Sequence, residues 1–186
     1  MTKDCDLWVF GYGSLMWRPG FDADETCRAR LDGWHRDFCV YSRHWRGTPE
    51  RPGLVLGLDE GGSCRGLAFR VDGARAADVI EYLNERELVG YAYVARFLPV
   101  GLDDGRVVEA YTFVADSNHH HYAGQLPLEG AAAIIMDAEG QGGLNRDYLI
   151  NTIRQLESDG LSEAGLHALL IEVERQTGII EAGAGI

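Results

Sequence analysis

The sequence has little positive charge. Its 186 residues contain 17 Lys and Arg against 29 Asp and Glu, which gives a formal net charge of -12 at pH 7. Proteins that bind nucleic acids or anionic membrane surfaces need clustered basic side chains to neutralise phosphate groups. We therefore expect neither a nucleic-acid nor a membrane partner. Small molecules remain the favoured ligands, and protein partners stay unknown.

Paired cysteines and long apolar runs are also missing. The four cysteines at positions 5, 27, 39 and 64 never form a Cys-x-x-Cys pair, which argues against structural zinc and disulfides. No stretch approaches the roughly 18 apolar residues of a membrane span. The first residues lack the basic region and apolar run of a secretory leader. The sequence thus predicts a soluble, cytoplasmic protein without a metal site.

Strand-like patterns fill the first two-thirds of the chain. Glycine-rich residues 59–63 predict a hairpin, and Asp104-Gly105 is a strong hairpin signal. These patterns favour one antiparallel sheet and leave open whether it curls into a barrel. Short apolar or alternating stretches predict the strands: residues 8–11, 37–41, 54–58, 64–71, 91–100 and 107–114.

Helical spacing interrupts the strands and then follows them. Asp72 and Ser162 are candidate N-caps, and Gly178 suits a helix end. No internal repeat or abrupt change of composition divides the chain, so we expect one α+β domain over residues 1–186 with a loosely ordered tail at 179–186. The predicted helices are residues 74–87, 130–138, 145–157 and 162–176.

The first candidate site is a glycine-containing run directly after the first predicted strand. Its two glycines allow backbone N–H groups to converge on an anion or a developing oxyanion, although a tight turn explains the same run. It lacks the lysine of a phosphate-binding loop and the second glycine of a nucleophile elbow, so its serine is not expected to be a nucleophile. The run consists of Gly11, Tyr12, Gly13, Ser14, Leu15 and Met16.

The second candidate is the carboxylate of Glu87. It follows Ile80 by seven residues, which places the two about 20° apart around an ideal helix, on the apolar face. Desolvation there would raise the carboxyl pKa towards that of a useful general base. Alternatively, the helix ends at Glu85 and Glu87 lies in an exposed turn. The spacing does not separate these two interpretations.

Other polar residues carry weaker signals. His119, His120 and His121 are consecutive, so alternate side chains should diverge, and a polar loop is favoured over a metal site. Arg43 lies in a basic loop able to receive a substrate carboxylate, although surface arginines are commoner than anion sites. Tyr148 borders the buried face of its helix, where a phenol usually packs with its hydroxyl paired.

Together these residues resemble the ChaC-type, glutathione-specific γ-glutamylcyclotransferases. Leu88, Val89 and the triple histidine depart from the family pattern, which bears on fine specificity more than on the reaction. The matching features follow the family's order from residue 8 to about residue 175: Trp8-Val9-Phe10-Gly11-Tyr12-Gly13-Ser14-Leu15-Met16-Trp17, Tyr41-Ser42-Arg43, Arg46-Gly47, Pro52-Gly53, Tyr82-Leu83, Arg86-Glu87, Gly90-Tyr91, Asn145 and Tyr148-Leu149.

The resemblance implies a mixed fold around an antiparallel-rich β-barrel with flanking helices. It implies glutathione as the substrate, cyclised to 5-oxoproline with release of Cys-Gly, and no cofactor. Glu87 is then the catalytic acid/base, and residues 11–16, Arg43, Tyr91 and Tyr148 bind the substrate. Two alternatives stay open: a cyclotransferase for other γ-glutamyl amino acids or amines, and a non-catalytic γ-glutamyl-binding regulator of a cation transporter.

Overall fold

The computed structural model describes residues 5–90 and 92–178. The mixture of strands and helices confirms the predicted α+β class. The elements in chain order are β1 (Leu7–Gly11), α1 (Ser14–Trp17), β2 (Glu25–Ser42), β3 (Gly53–Val71), a 3₁₀ turn (Gly73–Arg75), α2 (Ala76–Glu87), β4 (Tyr93–Leu102), β5 (Val107–Ala115), α3 (Leu128–Asp137), β6 (Glu139–Gly140), β7 (Gly143–Leu144), α4 (Asn145–Ser158) and α5 (Ala164–Thr177).

The strands β1 to β5 close into a barrel in the order β1-β3-β2-β4-β5. Strand β1 pairs antiparallel with β3 and parallel with β5, where Trp8 lies opposite Ala110. Strands β4 and β5 pair antiparallel, and Gly105 lies in the tight turn between them. The barrel and the second predicted hairpin are therefore confirmed.

The predicted hairpin at residues 59–63 is wrong. Strand β3 continues through this segment without a break. Gly61 and Gly62 have φ values of +100° and +66°, which other residues rarely adopt, and the Gly61 carbonyl lies 3.0 Å from Nδ1 of His35. The two glycines therefore permit irregular geometry within one long strand instead of a chain reversal.

The residues form two compact units, and the first contains residues 5–36 and Gly57–Asp116. In this unit the side chain of Asp72 accepts a hydrogen bond from the Ala74 N–H at 2.9 Å and so caps the 3₁₀ turn, whereas α2 itself begins at Ala76, two residues later than predicted, with Arg75 at its N-cap position. Val79 and Leu83 then pack into the apolar core between the helix and the barrel strands. Helical spacing therefore fixes which face of α2 is buried.

The second unit contains Asp37–Leu56 and residues 117–178. Helices α3, α4 and α5 pack against one another in it. Helix α5 begins at Ala164 and Glu163 takes the N-cap position without a side-chain hydrogen bond, so Ser162 is not the cap that the sequence predicts. Gly178 ends α5 at a φ of +75°, as predicted.

Within the second unit, Asn145 completes the hydrogen bonding of a strand. Its side chain is fully buried; Oδ1 accepts from the Leu54 N–H and Nδ2 donates to the Leu54 carbonyl, both at 2.8 Å. The amide thus acts like one residue of a neighbouring strand. Gly53 is tightly packed beside it, since an added Cβ would lie 2.6 Å from Oδ1 of Asn145.

The assignment of one domain stays a prediction, and Tyr91 and the predicted loose tail at 179–186 lie outside the described residues. Within the described ranges, no helix combines the length and the apolar character required to cross a bilayer.

Replacing Asn145 with Asp should destabilise the protein by roughly 2–4 kcal/mol at neutral pH, because a buried carboxylate oxygen would then face the Leu54 carbonyl. Urea unfolding measures the loss. Asn151, exposed on the same helix α4, is the matched control, and its replacement with Asp should change stability little. Equal stabilities of the two variants would contradict this account of Asn145.

Candidate active site

The glycine-containing run links β1 to the short helix α1, and the side chain of Arg36 holds its backbone by a hydrogen bond. The buried guanidinium of Arg36 donates from Nε to the Tyr12 carbonyl and from Nη2 to the Arg65 carbonyl, each at 2.6 Å. Arg36 is only 5% exposed, so these charge-assisted bonds lie in a low-dielectric environment. The loop therefore has a defined position relative to β3.

Strand β1 approaches β3 closely where the loop begins. An added Cβ on Gly66 would collide with the Gly11 carbonyl oxygen and approach the Phe10 ring to 3.0 Å. An added Cβ on Gly11 would come within 3.1 Å of the Leu15 Cβ. Packing thus requires glycine at position 66 and leaves little space for a side chain at position 11.

Helix α2 extends to Glu87, so the alternative in which the helix ends at Glu85 is wrong. The Glu87 side chain is 20% exposed, whereas Glu81 and Glu85 on the same helix are exposed. Burial raises the pKa of Glu87, and the positive charge of Arg86 lowers it by a smaller amount. The helix-face prediction of a partly desolvated carboxylate is therefore confirmed.

Arg86 connects Glu87 to the loop after β1. Its Nε lies 3.1 Å from Oε1 of Glu87, and its Nη2 donates to Oγ of Ser14 at 3.0 Å. The end of α2 and the start of α1 are therefore held together by a single guanidinium group. Ser14 is exposed and hydrogen-bonded to a cation, an arrangement that gives it no general base and agrees with its exclusion as a nucleophile.

The remaining predicted site residues belong to the second unit or are not described. Arg43 lies 3.3 Å from Nε2 of His121 and donates to the Pro49 carbonyl. The Tyr148 hydroxyl accepts a long hydrogen bond of 3.4 Å from the Leu56 N–H. The substrate-binding roles of both residues stay predictions, as does that of Tyr91.

The three consecutive histidines do not diverge as the sequence analysis expects. Their ring centroids lie 4.1–5.0 Å apart, and one nitrogen from each ring falls within a common span of 4.8 Å. His119 Nδ1 accepts from the His121 N–H, and His121 Nε2 faces Arg43. In neutral rings these contacts place the protons on Nε2 of His119 and Nδ1 of His121.

Another group of possible ligands lies in the first unit. Glu25, Cys27 and Asp104 converge, but Arg106 forms ion pairs with both carboxylates. Burial raises the pKa of the Cys27 thiol, and the hydrogen bond to Glu25 acts in the same direction. The positive charge of Arg106 already offsets the two carboxylates, so we interpret this cluster as a surface ion-pair network.

Comparison with known proteins shows to which family this chain belongs. The sequence profile described as ChaC-like protein matches residues 7–176. The chain belongs to the ChaC-like family. The match begins with β1 and ends within α5, so it includes the loop at residues 11–16 and Glu87.

Curated ChaC-like relatives agree with this membership. The glutathione-specific gamma-glutamylcyclotransferase of Escherichia coli K12 is 37% identical over 169 residues, which cover 91% of this chain and 73% of that protein. Gamma-glutamylcyclotransferase 2-3 of Arabidopsis thaliana is 32% identical over 165 residues, covering 84% of this chain and 83% of the relative.

A solved structure shares the fold of this chain. The gamma-glutamyl cyclotransferase specific to glutathione from yeast superposes with a TM-score of 0.82 at 22% identity, covering 91% of this chain and 96% of the other. At that identity the likeness establishes the fold, namely the barrel together with helices.

Sequence reasoning missed Arg36 as a residue that shapes the site. It lies in the part of β2 that the sequence analysis does not predict as a strand. Arginines are common on protein surfaces, so the residue type gives no sign that this one is buried. Arg86 was noticed only as a neighbour of Glu87 in the ChaC-like pattern. Its position four residues after Tyr82 was the available signal, since such spacing places two side chains on one helix face.

Replacing Gly66 with Ala should destabilise the protein by about 1–3 kcal/mol, because the added Cβ meets backbone rather than a flexible side chain. Gly101 in β4 is the matched control, since its Cβ would meet its nearest neighbour, the Arg30 carbonyl, at 3.9 Å. Thermal unfolding of both variants tests the difference. A Gly66→Ala protein as stable as Gly101→Ala would show that the approach of β1 to β3 is not restrictive.

Proposed function

We propose that this protein degrades glutathione by cyclising its γ-glutamyl unit, with Glu87 as the general acid/base. The observation that carries the proposal is the half-buried carboxylate of Glu87, connected through Arg86 to the loop after β1. A pure binding protein gains little from a desolvated carboxylate. ChaC-like relatives whose names specify glutathione support the choice of substrate.

The reaction needs no nucleophile from the protein, because glutathione contains its own. The free α-amine of the γ-glutamyl unit attacks the γ-carbonyl carbon and closes a five-membered ring. The bond between that carbon and the cysteinyl nitrogen then breaks. The products are 5-oxoproline and Cys-Gly, and no water is consumed.

Glu87 would serve this reaction by moving protons from the α-nitrogen to the cysteinyl nitrogen. The α-ammonium group loses two protons in becoming the lactam N–H, and the cysteinyl nitrogen gains two in becoming an ammonium group. The Glu87 carboxylate takes a proton from the α-ammonium group, which makes the nitrogen nucleophilic. The same carboxyl group then donates a proton to the departing amine of Cys-Gly. A carboxyl group performs both transfers well when its pKa is raised towards the working pH, and burial acts on Glu87 in that direction.

The loop at residues 11–16 would hold the substrate in a reactive conformation. Glutathione is flexible, so fixing its γ-glutamyl unit in a folded-back geometry removes a large entropic part of the barrier. We propose that loop N–H groups bind this unit and stabilise charge on the γ-carbonyl oxygen, an effect worth roughly 3 kcal/mol per donor in other enzymes. Arg36 supports the arrangement by fixing the Tyr12 carbonyl. Arg43, Tyr91 and Tyr148 remain proposed further contacts.

A wider γ-glutamyl substrate range is the second candidate. It is favoured by the Arabidopsis thaliana relative, whose name specifies gamma-glutamylcyclotransferase without glutathione. Other γ-glutamyl amino acids and amines carry the same α-amine and γ-carbonyl, so the same chemistry would act on them.

The cytoplasm, where glutathione is abundant, is the proposed compartment.

The decisive experiment is to incubate the purified protein with glutathione and quantify 5-oxoproline and Cys-Gly. We expect the two products in equal amounts, with undiminished activity after chelation because no step uses a metal. Glutathione binding by calorimetry without product would reject the enzyme assignment in favour of a sensor. A parallel panel of γ-glutamyl amino acids and amines decides between the two substrate ranges.

Replacing Glu87 with Gln should lower kcat by on the order of 100-fold or more while glutathione still binds, because the amide keeps the shape and loses the proton-transfer group. Glu85→Gln, on the exposed side of the same helix, is the matched control and should keep normal turnover. Steady-state kinetics and glutathione calorimetry measure both effects. Near-normal kcat in Glu87→Gln would reject this residue as the acid/base.

The turnover rate should fall on acidification as Glu87 takes up a proton. Because burial raises the pKa of Glu87, the acidic limb of the kcat profile should lie above the ordinary range of a glutamic acid. The profile of kcat between about pH 4 and pH 8 covers both this limb and the ordinary range of a glutamic acid, with circular dichroism confirming that the fold persists. A flat profile down to the ordinary range would contradict a role for the ionised carboxylate.

A further inference from the structure

All three nitrogen atoms of the Arg86 guanidinium group make contacts at the end of α2. Its Nη1 donates to the Arg18 carbonyl at 2.6 Å, with longer contacts to the Pro19 carbonyl and the Tyr82 hydroxyl. The opposite nitrogens contact Ser14 and Glu87, as described above. The Arg86 side chain is 24% exposed, so most of it is shielded from solvent.

These partners fall into two groups with different consequences. Ser14 belongs to the proposed substrate loop itself, and the carbonyls of residues 18 and 19 belong to the segment that continues from it. Glu87 belongs to the proposed catalytic machinery. One rigid, planar group therefore sets the position of the segment and of the carboxylate at the same time.

We propose that Arg86 is the positioning residue of the active site, orienting the Glu87 carboxylate towards the substrate loop by binding both. This inference rests on the proposed function, because it assigns Arg86 a part in that reaction. Contact with Nε occupies Oε1 of Glu87, so Oε2 is the oxygen that we expect to exchange the proton. The carboxylate is thereby held in one orientation relative to residues 14–19.

The charge of Arg86 also keeps Glu87 usable as a base. Burial disfavours the ionised carboxylate, and a carboxyl group left alone in such surroundings would hold its proton more tightly. Among the described residues, Arg86 is the charged group that opposes this effect on the pKa of Glu87. The two influences together allow a partly buried carboxylate to ionise.

Lysine cannot reproduce both tasks. An ammonium group is a point charge without the planar fork, so it can approach the Glu87 carboxylate but cannot also bind Ser14 and the Arg18 carbonyl in their present positions. This difference separates the electrostatic from the positional contribution. It also distinguishes Arg86 from a residue that only stabilises the fold.

The test compares Arg86→Met, Arg86→Lys and Ser14→Ala with Arg75→Met as the control. Arg75 pairs with Asp24 and lies roughly three helical turns before Glu87, so its loss removes an arginine without touching the proposed site. Kinetics with glutathione give kcat and KM across pH. The titration of Glu87 itself is followed by carboxyl carbon-13 NMR in ligand-free protein, assigned by its absence in Glu87→Gln.

Arg86→Met should move the Glu87 titration and the acidic limb of kcat to higher pH, and should lower kcat at neutral pH by on the order of 100-fold through misplacement of the carboxylate. Arg86→Lys should return the Glu87 titration towards that of the wild type, because the positive charge is kept. Its KM should stay above the wild-type value, because lysine cannot also bind Ser14 and the Arg18 carbonyl. Ser14→Ala should raise KM and leave the titration in place. Arg75→Met should match the wild type in all three measurements.

A folded Arg86→Met protein with an unmoved Glu87 titration and normal kcat would overturn the proposal. An equal effect of Arg75→Met would also overturn it, since any lost arginine would then suffice. Because the NMR titration needs no substrate, it judges the Arg86–Glu87 pairing separately from the reaction. Wild-type protein that titrates as expected but releases no 5-oxoproline would support the pairing and reject the proposed reaction.

Discussion

The ion pair between Arg86 and Glu87 is the interaction on which the candidate site depends. Helix α2 brings the carboxylate to the edge of the apolar core, where burial raises the pKa of Glu87. The guanidinium offsets part of that effect and at the same time contacts the segment that follows β1. The proposed acid/base and the proposed substrate loop therefore share one structural support.

The barrel supplies the second constraint, which is a close approach of two strands. The Gly11 carbonyl can lie against β3 only because residue 66 has no side chain. Arg36 then binds the next carbonyl of the same chain segment, that of Tyr12. A short loop whose backbone is held by these contacts suits a reaction in which the protein mainly has to hold a flexible substrate in a folded-back shape.

Much of this architecture could be predicted from local patterns. The alternation at residues 107–114 and the Asp104-Gly105 turn predicted β5 and its hairpin, and helical spacing predicted the buried face of α2. The first half of β2 was missed because its exposed side carries Arg28, Arg30 and Asp32, leaving few apolar residues to mark the strand. The glycines at 61 and 62 suggested a turn because positive φ values usually serve chain reversal, whereas here they occur within a strand.

The sequence by itself determined the family, the α+β class, the glycine-containing run at residues 11–16 and the buried face of α2, because each follows from residue order or from the helical spacing of apolar residues. Only the tertiary structure decided that α2 extends far enough to include Glu87, and that Arg36 and Arg86 hold the loop. Those contacts join residues more than 20 positions apart, such as Arg36 and Tyr12 or Arg86 and Ser14. No local pattern encodes them, since they depend on how the strands close into a barrel and on where the helix packs against it.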